Sequence, residues 1–202
     1  YKEKVINPYD HLDKITSSFS SPKIDSLPVF TGGLIGYFSY ESFQYVEPKL
    51  KYQNSKIPLI SLCESTELVV FDNFKGTFYI IVNTKDKTSK GYDLAKARIN
   101  EIKTTLFSLQ ASIPHNIEKK NIDISSKSNI DYKTYEEQVN TIKQFVHEGE
   151  IMQAVLSKEV TFEGSYDPMT LYRALRLINP SPYMFYLSFD DFNVIGASPE
   201  IL

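Results

Sequence analysis

The 202-residue sequence contains one cysteine, Cys63. A single cysteine excludes an internal disulfide and a cysteine-based zinc site, which is usual for proteins of the reducing cytoplasm. Long apolar runs are also missing, because the longest, at residues 68–71 and 78–82, fall far short of the roughly 20 residues that cross a bilayer. No charged-then-apolar signal segment opens the chain. We therefore predict a cytoplasmic protein without a membrane partner.

Basic residues are not in excess. The chain has 22 Lys and Arg against 25 Asp and Glu, a formal net charge of −3 and a pI near 5.7. No basic run is interleaved with aromatic residues. The charge pattern predicts no nucleic-acid partner, since such proteins present a basic face to the phosphates.

The composition is that of a globular protein, with 42% hydrophobic and 23% charged residues. This is enough to predict a real core in one large or two small domains. Residues 111–130 are polar, rich in Ser, Lys and Asn, and lack periodicity, which predicts a surface linker between blocks 1–110 and 131–202. The chain begins with Tyr1 and ends two residues after a Ser-Pro-Glu run, so we expect a piece of a longer protein.

The first block has the pattern of a β-meander followed by a helix. Alternating apolar residues predict strands, and a 3.6-residue period predicts a long helix over residues 89–110. Glycines at positions 32 and 33 lack phosphate-loop spacing and favour tight strand packing instead. The predicted strands lie within residues 30–40, 59–63, 66–72 and 77–83, with a hairpin turn at 72–76 and a short helix at 9–15.

The second block alternates helices with strands. A helix is predicted over residues 131–148, with Thr134 and Glu137 as a capping box and Gly149 closing its end. A long strand is predicted from Met152 onward, and Asp167 with the following proline starts a second helix. Residues 184–189 and 192–195 form a hairpin. The predicted class is α+β, with mostly antiparallel β-sheets and helices packed outside.

Four motifs occur in a characteristic order. They are Thr-Gly-Gly-Leu-Ile-Gly-Tyr-Phe-Ser-Tyr-Glu at 31–41, Glu-Gly-Glu-Ile-Met-Gln-Ala-Val-Leu-Ser at 148–157, Asn-Pro-Ser-Pro-Tyr-Met-Phe-Tyr-Leu at 179–187 and Ile-Gly-Ala-Ser-Pro-Glu at 195–200. Together they resemble the chorismate-utilising enzymes, above all the anthranilate synthase large subunits (component I). The resemblance implies that the sheets form a sandwich, incomplete here, and that residues 131–202 begin a truncated chorismate-binding domain.

The resemblance also implies two active-site residues. Gln153 stands where water-adding branches of the family carry a water-activating lysine, whereas ammonia needs only positioning because it is already a nucleophile. Glu200 stands where the family has the acid that helps the C4 hydroxyl of chorismate to leave. From the residues alone, the better interpretation is an exposed strand-edge amide for Gln153 and a solvated glutamate at a turn for Glu200.

Pro182, Tyr183 and Met184 correspond by resemblance to the pocket for the feedback inhibitor tryptophan. A proline, an aromatic ring and a thioether offer a flat apolar slot for an indole. Core packing is the alternative, and the two roles are compatible.

The resemblance predicts an Mg²⁺-dependent lyase that converts chorismate and ammonia to anthranilate and pyruvate, with allosteric inhibition by tryptophan. A glutamine amidotransferase subunit would supply ammonia from glutamine. No metal ligands are predicted within these residues: His11, His115 and His147 are scattered, and the magnesium ligands belong to a C-terminal half. The chain alone is expected to be inactive. The alternatives are aminodeoxychorismate synthase component I of the folate pathway and a non-catalytic ligand-sensing module.

Overall fold

The computed structural model describes residues 7–50, 52, 55, 57–108, 125–164 and 166–198. The chain divides into two compact units, Tyr1–Ser112 and Ile113–Leu202, which are described separately. Their helices and strands, in chain order, are α1 Pro8–Ser17, β1 Gly33–Phe38, β2 Ile60–Ser65, β3 Glu67–Asp72, β4 Thr77–Val82 and α2 Ser89–Ser108, then β5 Ser126–Ser128, α3 Tyr132–Glu148, β6 Val160–Phe162, α4 Pro168–Ile178, β7 Tyr183–Ser188 and β8 Asn193–Ser198.

The strands predicted in the first unit are confirmed, but they form two antiparallel pairs rather than one continuous meander. Strand β1 pairs with β2, and β3 pairs with β4. Only Thr66 separates β2 from β3, and its carbonyl accepts the backbone N–H of Asn83 at 2.8 Å. Periodicity predicts that a segment is a strand, whereas the choice of partner depends on hydrogen bonds between distant residues.

Tight packing of the glycine-rich strand β1 is also confirmed. Gly36 lies opposite Leu62, and a Cβ at Gly36 would overlap the Ser61 carbonyl. Gly32 and Gly33 have φ values of 144° and 132°, which residues with a side chain rarely adopt. The glycines therefore serve backbone geometry in this unit.

Helix α2 packs against β4 and is tied to β3 by a two-pronged ion pair. The Arg98 Nε and Nη2 atoms donate to the two carboxylate oxygens of Glu67 at 2.8 and 3.0 Å. This parallel geometry is the strongest that a guanidinium and a carboxylate form. Both side chains remain about half exposed, so solvent weakens the contact.

The first half of the second unit differs from the sequence prediction in two places. Ser126–Ser128, predicted as linker, forms β5 and pairs with β6. Helix α3 is capped by Asp131, which accepts the Thr134 N–H at 2.8 Å, and not by the predicted Thr134–Glu137 box. The helix ends as predicted at Gly149, whose φ of 79° is left-handed. Asp131 is the N-cap because its side chain, at the residue just before the helix, can reach the first free backbone N–H groups.

The long strand predicted from Met152 is shorter in the structure. The ladder begins only at Val160, preceded by hydrogen bonds between Glu159 and Asn129, and residues 152–158 have no strand partner among the described residues. Met152 and Val155 are 97% and 87% exposed. Alternation of apolar residues describes which face each side chain would take, but a strand exists only where a neighbour accepts its backbone hydrogen bonds.

The second half of this unit is a helix packed on a hairpin, as predicted. Asp167 caps α4 by accepting the Thr170 N–H at 2.7 Å, and Pro168 occupies the first helical turn. Strands β7 and β8 pair along their whole length, and the Phe189 N–H donates to the Phe192 carbonyl at 2.9 Å to close the turn. The α+β class with antiparallel pairing is thus confirmed.

The predicted hydrophobic core is not found among the described residues. No hydrophobic side chain there is fully buried, and the buried polar side chain is that of Ser42. The reason is architectural, because each pair of strands leaves apolar side chains such as Phe78 and Phe185, 63% and 41% exposed, on an uncovered face. Among the same residues, no helix is both long and apolar enough to cross a membrane.

Candidate functional site

The hairpin β7–β8 brings two of the four sequence motifs together. Tyr183, the first residue of β7, lies directly opposite Ser198, the last residue of β8. The described parts of the two motifs, residues 179–187 and 195–198, are separate in the sequence, yet they meet at the open end of this hairpin, remote from its turn.

A side-chain hydrogen bond reinforces this open end. The Ser181 hydroxyl donates to the Ser198 carbonyl at 2.8 Å and is partly buried. Ser181 stands between Pro180 and Pro182, and a residue before proline is restricted to extended conformations. The donor is therefore held in place before the bond forms. Sequence analysis did not select Ser181, although a polar residue between two prolines was a signal for it.

Tyr183 and Met184 lie on opposite faces of the hairpin. Successive side chains of a strand alternate, so Tyr183 shares a face with Phe185, and both are more than two-fifths exposed. Met184 is half-buried and shares its face with Tyr186, whose ring lies 6.0 Å from that of Tyr172 on α4. A ligand that touches both Tyr183 and Met184 has to bind at the edge or end of β7, next to the exposed Pro182.

Gly196 makes room for an aromatic ring on the uncovered face. It pairs with Phe185, and a Cβ at Gly196 would overlap the Phe185 ring. The backbone of Gly196 needs no left-handed conformation, so space alone explains the glycine.

Gln153 lies in the segment between α3 and β6. It is exposed and makes no side-chain hydrogen bond among the described residues. Gly149, four residues earlier, fixes the direction in which the chain leaves α3. The structure therefore leaves the amide of Gln153 available, but does not join it to the hairpin. Glu200 lies outside the described residues.

The shifted pKa values belong to structural groups. The Thr170 hydroxyl and N–H lower the pKa of Asp167, the Thr134 N–H lowers that of Asp131, and Arg98 lowers that of Glu67. These carboxylates cap helices or tie α2 to β3. The described residues contain no group of three or more His, Cys, Asp or Glu side chains placed to hold a metal.

A shallow open pocket lies in the first unit. Its volume is about 160 Å³, and the Lys75 ammonium lies 3.8 Å from the Asp72 carboxylate at its rim. Its lining residues are Leu27, Pro28, Val70, Asp72, Lys75 and Tyr79. None of these belongs to the motifs, and the pocket plays no part in the proposed chemistry.

Comparison with known proteins identifies relatives along almost the whole chain. A family model described as chorismate binding enzyme matches residues 2–202. Anthranilate synthase component 1 of Neisseria meningitidis serogroup B is 38% identical over 203 residues, and that of Pseudomonas aeruginosa is 33% identical over 208 residues. Each alignment covers 97% of this chain and 41% of the relative, so the chain spans about two-fifths of their length.

A solved structure has the same fold. The crystal structure of anthranilate synthase component I from Streptococcus pneumoniae matches with a TM-score of 0.73 and 26% sequence identity. The match covers 96% of this chain and 43% of that one. The fold expected from the motifs is thereby confirmed for the part of the family that this chain represents.

Proposed function

The chain belongs to the chorismate binding enzyme family, and from this we propose that it is part of an anthranilate synthase large subunit. The observation that carries the proposal is the identity of 33–38% to anthranilate synthase component 1 over nearly the whole chain. The meeting of the two C-terminal motifs at one end of the hairpin β7–β8 supports it. The activity belongs to the full-length gene product, in the cytoplasm.

In the proposed reaction, ammonia adds to C2 of chorismate while the C4 hydroxyl leaves as water. The product, 2-amino-2-deoxyisochorismate, then loses pyruvate and becomes anthranilate. Glu200 donates the proton that turns the hydroxyl into a good leaving group, which requires a carboxyl that is protonated at that moment. Gln153, exposed and without a hydrogen-bond partner among the described residues, lines the side from which ammonia arrives.

The proposal includes three further molecules. A glutamine amidotransferase subunit supplies the ammonia. Mg²⁺ would be held by carboxylates and substrate oxygens, and we propose that its protein ligands belong to the C-terminal half of the full-length protein. Tryptophan binds next to Pro182, Tyr183 and Met184 and inhibits by favouring a less active conformation. The exposure of Pro182 and Tyr183 supports this last point.

The test is an assay of the full-length gene product with chorismate, Mg²⁺ and ammonium, following anthranilate fluorescence with and without tryptophan. We expect anthranilate to form and tryptophan to inhibit its formation. Accumulation of a non-fluorescent amino compound would assign the protein to the folate branch. A failure to consume chorismate would contradict an enzymatic role altogether and favour a ligand-sensing module.

A further inference from the structure

We propose that Asn129 is a positioning residue, which clasps the far end of the segment that carries Gln153 and thereby fixes where this segment lies. The structural basis is a pair of hydrogen bonds between Asn129 and Glu159. The consequence for ammonia addition rests on the proposed function of Gln153. Asn129 acts through the backbone of Glu159 and touches no reacting group.

Asn129 bonds both backbone groups of Glu159. Its side-chain Oδ1 accepts the Glu159 N–H at 3.0 Å, and its own backbone N–H donates to the Glu159 carbonyl at 3.0 Å. The neighbouring pair is Ser128 opposite Val160, the first pair of the ladder between β5 and β6. In a regular antiparallel pair a backbone carbonyl would accept the second bond, so the side chain of Asn129 takes the place of that acceptor. It extends the pairing by one residue.

The two bonds close a loop that contains α3 and the segment with Gln153. They join residues 30 positions apart in the sequence. Between them the chain forms α3, leaves it at Gly149 in the left-handed conformation, and returns to Glu159. The segment of residues 151–158 is therefore held at both ends, by the end of α3 and by Asn129.

The length of α3 restricts the conformation of this segment. A helix of 17 residues is about 25 Å long, and the chain has to return over about this distance between Gly149 and Glu159. These residues would cover only about 15 Å as a helix, whereas extended backbone rises about 3.3 Å per residue. Residues 153–159 accordingly contain neither helix nor turn. While the clasp is closed, the segment has to remain mostly extended.

The position of Gln153 depends on these two ends. Its side chain makes no hydrogen bond among the described residues, and the backbone of residues 152–158 has no strand partner there. Asn129 and Glu159 are exposed, so their bonds affect local position more than the stability of the whole unit. The loss of one such bond shifts a local equilibrium by about threefold to tenfold.

The experiment uses the full-length gene product and four variants. Asn129→Ala removes the side-chain acceptor and leaves the backbone bond, whereas Asn129→Asp keeps an acceptor oxygen at the same position. Asn140→Ala removes an exposed asparagine from α3 as a control. Gln153→Ala removes the amide proposed to line the ammonia side. Steady-state kinetics with varied ammonium and varied chorismate are measured for each variant and for Asn129→Ala combined with Gln153→Ala.

We expect Asn129→Ala to raise KM for ammonium about threefold to tenfold, with KM for chorismate unchanged within about twofold. Asn129→Asp and Asn140→Ala should match the unmodified protein. In the Gln153→Ala background, Asn129→Ala should raise KM for ammonium no further, because Asn129 acts through the position of Gln153. An equal increase in both backgrounds, or an aspartate variant as impaired as the alanine one, overturns the proposal.

Amide hydrogen exchange gives a readout that needs no activity. The amide of Glu159 should exchange about threefold to tenfold faster in Asn129→Ala, and at the unmodified rate in Asn129→Asp. Unchanged exchange in the alanine variant overturns the clasp whether or not the protein is active. Faster exchange with an unchanged KM for ammonium overturns the effect on Gln153. An unmodified protein that produces no anthranilate refutes the proposed function instead, and the exchange result then decides alone whether Asn129 holds the segment.

Discussion

The hairpins β3–β4 and β7–β8 have the same size and antiparallel register, yet different contacts hold them. The first is tied to its helix by the charged pair of Arg98 and Glu67, and the second by the rings of Tyr172 and Tyr186. At the centre of the first hairpin Val69 pairs with Ile80, whereas at the same position of the second hairpin Phe185 pairs with Gly196.

Their turns differ in the same way. Asp72 closes the first turn, since its carboxylate accepts the N–H groups of Phe74 and Lys75 at 3.0 and 2.9 Å. In the second turn the rings of Phe189 and Phe192 stack with centroids 4.8 Å apart. The first hairpin is thus a scaffold that combines polar contacts with its own ring pair, Phe71 and Phe78, whose centroids lie 4.8 Å apart. The second carries the motifs, and its side-chain hydrogen bonds are donated by the hydroxyls of Ser181 and Tyr186 to Ser198 and Asn193.

The largest effect should come from adding a methyl group at Gly196. Gly196→Ala would push its Cβ into the Phe185 ring, and such overpacking costs about 1–3 kcal/mol. In the full-length protein, amides of β7 and β8 should exchange roughly 5- to 150-fold faster. Combining Gly196→Ala with Phe185→Ala restores the space, so the second change should reverse part of the acceleration.

The matched change in the scaffold hairpin is Ile80→Val, which removes one methyl group from a half-buried position. Its effect on exchange in β3 and β4 should stay below about fivefold, because a shortened side chain can be accommodated more easily than an added one. Equal sensitivity of the two hairpins would remove the distinction drawn between them.

A smaller effect is expected at the turns. Asp72→Ala deletes an acceptor that serves two N–H groups, at a cost of about 1 kcal/mol, or about fivefold in exchange at Phe74 and Lys75. Asp190→Ala alters the turn of the second hairpin, which Phe189 and Phe192 close through backbone and rings. The amides of this second turn should keep their exchange rates in Asp190→Ala. An acceleration as large as that caused by Asp72→Ala would contradict the different roles given to the two turns.

The smallest effect concerns pH and the charged tie of the first hairpin. The guanidinium of Arg98 holds the pKa of Glu67 below its ordinary value near 4.5. Because the pKa of Glu67 is lower in the folded state, the ion pair stabilises the protein at pH values above the ordinary pKa. This stabilisation is lost as the pH falls through the pKa of the folded state. Exchange in β3 should therefore accelerate on acidification below about pH 4.5, relative to an Arg98→Met variant, which lacks the pair at every pH.

Arg98→Lys sharpens this measurement. Lysine keeps the positive charge but cannot form two parallel bonds to Glu67. We expect it to retain only part of the pH dependence. Among the described residues no such charged pair ties α4 to β7, so amide exchange in β7 should not accelerate over the same pH range. An acceleration of equal size in β7 would contradict the difference between the two hairpins.

Several local features were predictable from the sequence because they depend on neighbouring residues. Asp167 with Pro168 predicted the start of α4, and Gly149 the end of α3, since a cap acts within one turn of its helix. Where two caps competed, at Asp131 and Thr134, the sequence pattern selected the wrong one. The four motifs predicted the family, which the relatives confirm.

The sequence by itself thus determined most of the helices and strands of this protein, its class and its family, because capping, turn and periodicity signals act over a few residues, but it missed β5 and made β6 too long. Only the tertiary structure decided which strands pair, that Tyr183 and Met184 face opposite sides, and that Ser181 holds Ser198. The Ser181–Ser198 contact joins atoms 17 residues apart, and the position of the Phe185 ring depends on the space left by Gly196 on the facing strand. Such contacts are determined by backbone hydrogen bonds and by shape, and neither can be read from a pattern of a few neighbouring residues.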